Sequence, residues 1–552
     1  MNRHRILVTS ILLGMIMVAW CVAPLTARAQ AVPTATPPAK AAPAPTAPPV
    51  PTAPSPSGAF NVGSKAQLFI DQQLVLSTER VWFTPHAARK HAANPLVKAD
   101  QPWEGWMIEI YGTVLFDEEE HIFKMWYMGG GTQWFPNYAT FYATIRDGVV
   151  WEKPLVGTVK TPGLEKHNAV LDACLEASVM KDNTDPDPAR RYKMVEWDHR
   201  AKPVGGPHAL VSPDGLNWTR ISKDNLFRSN DNVTAFYDRE RELYVAIPKL
   251  STPVRGVLRR CFGLTTSPDL LTWSAERYIF VPDRRDDASS LSRIEPVRAM
   301  LDVPDDPALM RTEFYSTAIY QAESCIVGFP WIFTINNNAR FPDGLDANGK
   351  PRVRNHEGPC EIQLAVSRDL ENWERPFRTP VVPLGKPGEW DSGYLVTAFE
   401  AFRHGDEIRL YYAGSNFTHG HPARYEEFGV PNSGRGTKYT TSIGLASWPL
   451  DRFVSADAGT DAGTLTTVPM HFTGGHLELN LNASRGSASV ELLDVAGKPI
   501  AGYGESDPLN TDSLRAKVLW KEKGDISKLA GRPVSLRFHL QQAELYSFAF
   551  RE

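Results

Sequence analysis

A short turn sequence recurs along this chain and limits its fold more than any other feature. Ser212-Pro-Asp214-Gly-Leu-Asn-Trp218 returns as Ser267-Pro-Asp269-Leu-Leu-Thr-Trp273 and as Ser367-Arg-Asp369-Leu-Glu-Asn-Trp373. Ile145-Arg-Asp147-Gly-Val-Val-Trp151 is a looser copy, and Ser447-Trp-Pro-Leu450-Asp451-Arg-Phe453 a degenerate fifth. Each copy follows a strand-like run, such as His208-Ala-Leu-Val or Ile362-Gln-Leu-Ala-Val. Ser and Asp side chains can bond the backbone of a tight turn, and Gly suits a positive φ there. The Trp then begins the next strand. Each copy therefore marks a hairpin between two late strands of a sheet.

A second hairpin lies upstream of each copy. Val114 to Tyr127 is two alternating apolar runs around an acidic turn, and Val233 to Ala246 repeats it. Val179 to Trp197, Phe314 to Phe329 and Val396 to Tyr412 follow the same plan. Two hairpins make a four-stranded antiparallel sheet, and five such units spell a five-bladed β-propeller. The blades are expected at 106–158, 170–224, 230–282, 312–378 and 390–453. Residues 454–552 carry no blade motif. Their short alternating strands, such as His476 to Leu481 and Val534 to Leu540, predict a separate C-terminal β-sandwich. It reads as a buttress, with a carbohydrate-binding module as the other reading. The fold class expected is all-β.

The first 58 residues stand apart. Arg3 and Arg5 precede an apolar run from Ile6 to Val22, and Ala27-Arg28-Ala29 offers small residues to a signal peptidase. Residues 1–29 are read as a signal peptide and the protein as exported: periplasmic, cell-surface or secreted. Residues 30–58, nearly all Ala, Pro, Thr, Val and Ser, cannot pack a core and form a spacer. The propeller is drawn at 59–453. No apolar run after residue 22 is long enough to span a bilayer. The net charge of −4 becomes about −7 without the leader's three arginines, which excludes the basic footprint of a nucleic-acid binder. Cys174, Cys261, Cys325 and Cys360 form no CxxC pair, so no metal or redox motif is present. Buried free thiols are preferred over the one disulfide an exported chain allows.

Five expected blades marked by these turns, followed by a sandwich, resemble the five-bladed propeller glycosidases. These are glycoside hydrolase families 32, 43, 62 and 68, with the family 130 mannoside phosphorylases as cousins. The resemblance covers about residues 60–453 and implies a carbohydrate substrate and no required cofactor. Some relatives hold a structural calcium ion in the central channel, an option the likeness extends to this chain. The sucrose-cleaving signature is missing. Its counterpart is Trp106-Met-Ile-Glu109-Ile-Tyr-Gly112.

The chemistry should lie on the axis, where the innermost strands begin. An acid stands near each such start: Glu109, Glu176, Asp231, Glu313 and Asp391, with Glu104 a further candidate. A single acid there more often caps a loop or pairs with Arg, but the recurrence at one station favours function. Glycoside hydrolysis needs two carboxyl groups, one protonated and one ionised. The resemblance implies Glu109 as nucleophile or base, Glu176 as orienting acid and Asp231 as proton donor. The relatives use Asp, Asp and Glu at those stations. Glu104, Glu313, Asp391, His208, Arg354, His356 and Trp134 are the candidate substrate-binding residues, and no metal site is expected. Trp126, Trp197 and Trp331 offer faces for sugar stacking, although most blade tryptophans pack. His419 and His421 are further loop candidates. Two other functions compete: a phosphorylase, for which Arg354 and His356 would meet phosphate, and a non-catalytic sugar-binding propeller.

Overall fold

The computed structural model describes residues 58–105, 107–200, 205–301, 304–345, 351–421 and 439–552, with 338–345 and 351–355 described by backbone alone. The expected leader, the spacer up to residue 57 and the Arg354 side chain lie outside the described residues.

The chain is nearly all β. Three separate four-stranded antiparallel sheets follow one another. The first holds Glu109–Asp117, Ile122–Gly130, Tyr138–Ile145 and Ala169–Asp172. The second holds Cys174–Lys181, Tyr192–Asp198, Gly206–Ser212 and Thr219–Arg220. The third holds Val233–Asp238, Leu243–Val254, Val257–Ser267 and Arg277–Phe280. The fourth and fifth expected units share one ten-stranded sheet, joined where Cys360 pairs with Tyr394. Among the described residues no sheet closes on itself. Strands Arg89–Lys90 and Val97–Lys98 pair with the outer strand Thr441–Pro449, so an early segment covers a late edge.

The recurring turns form as their residues dictate. Asp147, Asp214, Asp269 and Asp369 each accept two backbone N–H groups, those of the residues two and three positions on. The residue after each Asp has positive φ: Gly148 at 75°, Gly215 at 76°, Leu270 at 70° and Leu370 at 69°. Two leucines thus take a conformation that favours glycine. Both are buried, so apolar packing offsets the backbone strain.

Two boundaries differ from expectation. The fourth strand of the first sheet is Ala169–Asp172, not the segment after Trp151, where Glu152 makes only an isolated bridge to Thr144. The second unit therefore starts after residue 172 rather than at 170. The larger difference is at the N-terminus. Residues 60–85 were counted with the propeller, yet they pair with the C-terminal strands. Phe60–Gly63 runs beside Met470–Phe472, Gln67–Leu68 beside Ala543–Arg551, Val75–Glu79 beside Gly463–Thr467, and Trp82–Pro85 beside Val454–Ala458. The physical reason is the edge rule: the late sheets have open edges that only another strand can satisfy. A six-stranded and a four-stranded sheet result, enclosing one apolar core with Phe69, Leu479, Val490, Phe538 and Phe548. Cys174, Cys261, Cys325 and Cys360 are free and buried.

Phe69 tests this assembly. Its ring lies 6.0 Å from Phe548 and 6.4 Å from both Phe83 and Phe538. Phe69→Ala should cost about 3–5 kcal/mol in denaturant unfolding. A cost under about 1 kcal/mol would mean that the N-terminal strands are not part of the core.

Candidate active site

The first strands of the first, second and fourth units carry bulges or register shifts beside their acids. Pairing slips between Glu109 and Thr113, between Cys174 and Ala177, and between Phe314 and Thr317. A bulge turns side chains out of strict alternation and re-aims them. In the first sheet the slip needs Gly112, where an added Cβ would stand 2.0 Å from the Trp126 carbonyl oxygen. In the third sheet the second strand does the positioning. The Lys249 backbone accepts from Asn230 and donates to Asn232, both at 2.8 Å, which fixes Asp231 opposite it.

Asp231 and Lys249 form an ion pair. The Lys249 ammonium also sits 3.7 Å above the Tyr315 ring centroid. Arg260, on the hairpin's return strand, pairs with Glu313 and lies 5.6 Å over Tyr315. Arg311 donates to Glu313 at 2.8 Å and meets His356 Nε2 at 3.3 Å. The His419 ring lies 5.2 Å from Tyr315 and 6.1 Å from Tyr394, whose hydroxyl donates to Glu109. Glu109, Asp231, Glu313 and His356 thus belong to one connected network around Tyr315, and Glu176 joins it by standing close enough to feel the Asp231 charge.

Electrostatics separates these acids. Burial raises Glu176 well above the usual carboxylate range, and the neighbouring Asp231 charge adds to it. Its oxygens find no cation or side-chain donor. Burial would raise Asp231 too, but Lys249, Arg260 and His199 outweigh it and hold Asp231 below its ordinary value. Glu313 is likewise lowered, because Arg260 and Arg311 overcome its burial. Burial lowers Lys249, and Arg260 adds to that, against the pull of Asp231. His356 is pushed down to about 4 by burial and the two arginines, so it is a neutral imidazole at neutral pH. Accessibility separates them further. The Asp231 side chain is 47% exposed, while Glu109, Glu176 and Glu313 are 1–2% exposed. Of the four, Asp231 is the one whose side chain meets solvent, while its Oδ1, turned to Lys249, is buried.

The other expected residues lie elsewhere. Glu104 is fully buried and engaged by Tyr127, Lys153 and the Asp100 and Gln101 backbones. Asp391 is held by Lys90 at 2.6 Å and Tyr412 at 2.9 Å. Both have the bonding of structural acids. His208 lines a separate recess on the second sheet. Trp134 is half-buried against the main core, and Trp126, Trp197 and Trp331 are buried, so these last three present no face to a sugar. A cavity of about 880 Å³ at the opposite ends of the innermost strands, lined by Met180, Tyr237, Gln321 and Glu400, holds none of the expected residues. No group of side chains fit to hold a metal ion occurs among the described residues.

Lys249, Arg260, Arg311, Tyr315 and Tyr394 were not anticipated. The one signal was Lys249 itself, a cation inside the apolar run from Tyr244 to Leu250.

No family model and no curated protein matches the sequence. Solved structures share a distant likeness. An N-acetylgalactosamine deacetylase from F. plautii is 14% identical, with 68% of this chain and 97% of that one covered, at TM-score 0.39. A Bacteroides ovatus glycosyl hydrolase gives 11%, 68%, 97% and 0.38. A structure described under the GH130 mannoside phosphorylases, with hydrolases that target β-1,2 mannosidic linkages in Candida mannan, gives 13%, 70%, 97% and 0.35. At these values the likeness carries no weight for activity.

The raised Glu176 has a consequence for stability. The folded state holds the Glu176 proton more tightly than the unfolded chain, whose carboxyl ionises near 4.5. Its contribution is therefore fully present below that pH and lost as pH rises toward the folded value. Glu176→Gln removes the dependence. Relative to wild type, the variant should gain stability steadily between about pH 5 and about pH 8 in urea unfolding. An equal difference at both pH values would show that Glu176 is not held protonated.

Proposed function

We propose that this protein is an exported glycoside hydrolase built on a five-bladed β-propeller with a C-terminal β-sandwich, and that it cleaves a glycosidic bond of an oligo- or polysaccharide at Asp231. The observation that carries this reading is one pair of carboxyls with opposite tendencies. Asp231 is open and ionised, and Glu176 beside it is covered and protonated. The pair shares one proton, stored on Glu176 at rest. That proton passes to Asp231 and from it to the glycosidic oxygen as the bond to the anomeric carbon breaks. The oxocarbenium-like centre takes a water molecule, whose proton returns to the pair. Lys249 keeps Asp231 ionised between turnovers, and its place on the Tyr315 ring fixes the ammonium. Glu109, held by Tyr394, and Glu313, held by two arginines, shape the surrounding wall.

A second reading, phosphorolysis, has one observation in its favour. Lys249 and Arg260 place two cations near the Asp231 carboxylate, and Arg311 adds a third at Glu313, as a phosphate nucleophile requires. The two readings differ in what attacks the sugar.

Purified protein should release sugar from aryl glycosides or plant and algal oligosaccharides without added phosphate. Asp231→Asn should lower kcat about a thousandfold. Release that strictly requires phosphate would move the assignment to a phosphorylase. A fully active Asp231→Asn variant would remove Asp231 from the chemistry.

A further inference from the structure

The recess that holds His208 lies outside the Asp231 network. It measures about 570 Å³, within the range of small-ligand sites, and is lined by Asp198, Arg200, His208, Arg220, Lys223, Asp224 and Asn225. Its floor is a register consequence. Glu196 stands directly opposite His208 on the neighbouring strand, and Asp198 follows two residues later on the same face. Arg220 reaches from the outer strand to both acids, donating to Glu196 at 2.7 Å.

Two buried polar atoms beneath this lining make no close hydrogen bond. His208 is 3% exposed; its Nδ1 is 3.0 Å from the Ser222 hydroxyl and the exposed Asn225 amide interacts with the ring, but its Nε2 makes no close hydrogen bond. Glu196 is 1% exposed; Oε1 accepts from Arg220, and Oε2 makes no bond. Native proteins rarely leave two adjacent polar atoms in that state, because each costs its full desolvation. Burial pushes the Glu196 carboxyl up to about 7, in keeping with an acid that has one arginine and needs a further donor.

We infer that this recess binds a neutral, hydroxyl-rich sugar residue, a subsite for the same glycan whose bond is cleaved at Asp231. The inference rests on the proposed function for its substrate class. The lining selects the ligand. The charges of the lining nearly cancel, because Arg200 and Arg220 pair with Asp198 and Lys223 stands beside Asp224 in the chain, so neither an anionic nor an amino sugar gains much net attraction. A neutral ring with neighbouring hydroxyls accepts from the arginines and donates to the aspartates, and it satisfies the floor atoms as well. The recess also adjoins the reaction site in the chain. His199, between Asp198 and Arg200, feels the charge of Asp231.

The test uses Asp231→Asn protein and neutral gluco-, manno- and galacto-oligosaccharides from monosaccharide to hexasaccharide, with oligogalacturonates in parallel. Binding is read by calorimetry, and wild-type cleavage by kcat/KM as a function of chain length. Asp224→Ala and Asn225→Ala change exposed side chains, and His208→Gln changes the floor. Each added to Asp231→Asn should weaken binding of the longer neutral oligosaccharides about fivefold to tenfold. In the cleaving enzyme the same changes should lower the long-to-short ratio of kcat/KM by a similar factor. If binding falls while wild type cleaves nothing, the subsite stands and the hydrolase reading fails. If wild type cleaves and the variants affect short and long substrates equally, the subsite is overturned and cleavage stands. Tighter binding of oligogalacturonates, or no sugar bound by any form, also overturns it; in the latter case ordered water fills the recess.

Discussion

Carboxylates gathered from separate strands repel one another, and the site exists because three cations are placed among them. Two like charges a few ångströms apart at intermediate dielectric oppose each other by about 4 kcal/mol. Lys249 answers Asp231, and Arg260 with Arg311 answers Glu313. Glu176 has no such partner and stays protonated instead. The cluster reaches neutrality by two routes, pairing and proton retention, and the second leaves a transferable proton next to an open carboxylate. Tyr315 anchors the arrangement, since both Lys249 and Arg260 lie over its ring, and Trp331 and Phe333, which also border it, are part of the main core.

Much of this was legible in the residues. The Asp turns could be read because a side chain bonding its own backbone is a local event, complete within four residues. The acids at strand starts could be read because strand starts are visible once the turns are placed. Four of the five do meet in one network. Asp391 does not, because its strand begins three residues later, at Tyr394, and Lys90 arrives from a distant segment to hold it. That pairing spans 301 residues and no local pattern encodes it. The cations were hidden for a related reason. Lys249 and Arg260 are spaced by a hairpin, and only the register, in which Lys249 faces Phe262 and Ser251 faces Arg260, brings them to one ring. Glu104 looked like a site acid because the sequence does not show Lys153 and Tyr127 closing on it. The N-terminal strands were assigned by adjacency to the first unit, whereas an unpaired sheet edge far along the chain took them.

Bulges have a part that composition cannot suggest. A strict alternation would send Glu109, Glu176 and Glu313 to faces set by their neighbours in sequence. The inserted residues break that rule at three sheets, on the same end of each innermost strand. The strands beyond the bulges return to regular pairing and bury apolar side chains on both faces. Rigid pairing thus sits directly behind each of these acids and limits the freedom each would lose on meeting a ligand.

The pairing of the first strands with the last also governs how the molecule is made. Arg551 bonds the Ser64 carbonyl across 487 residues, and Phe60–Gly63 has its partner strand at Met470–Phe472. During synthesis at about 5–20 residues per second, the earliest strands wait on the order of a minute for those partners. The intervening sheets, whose hairpins are local, have time to form first. Assembly therefore proceeds from the middle of the chain outward, and the C-terminal layers act as a clasp that is fastened last.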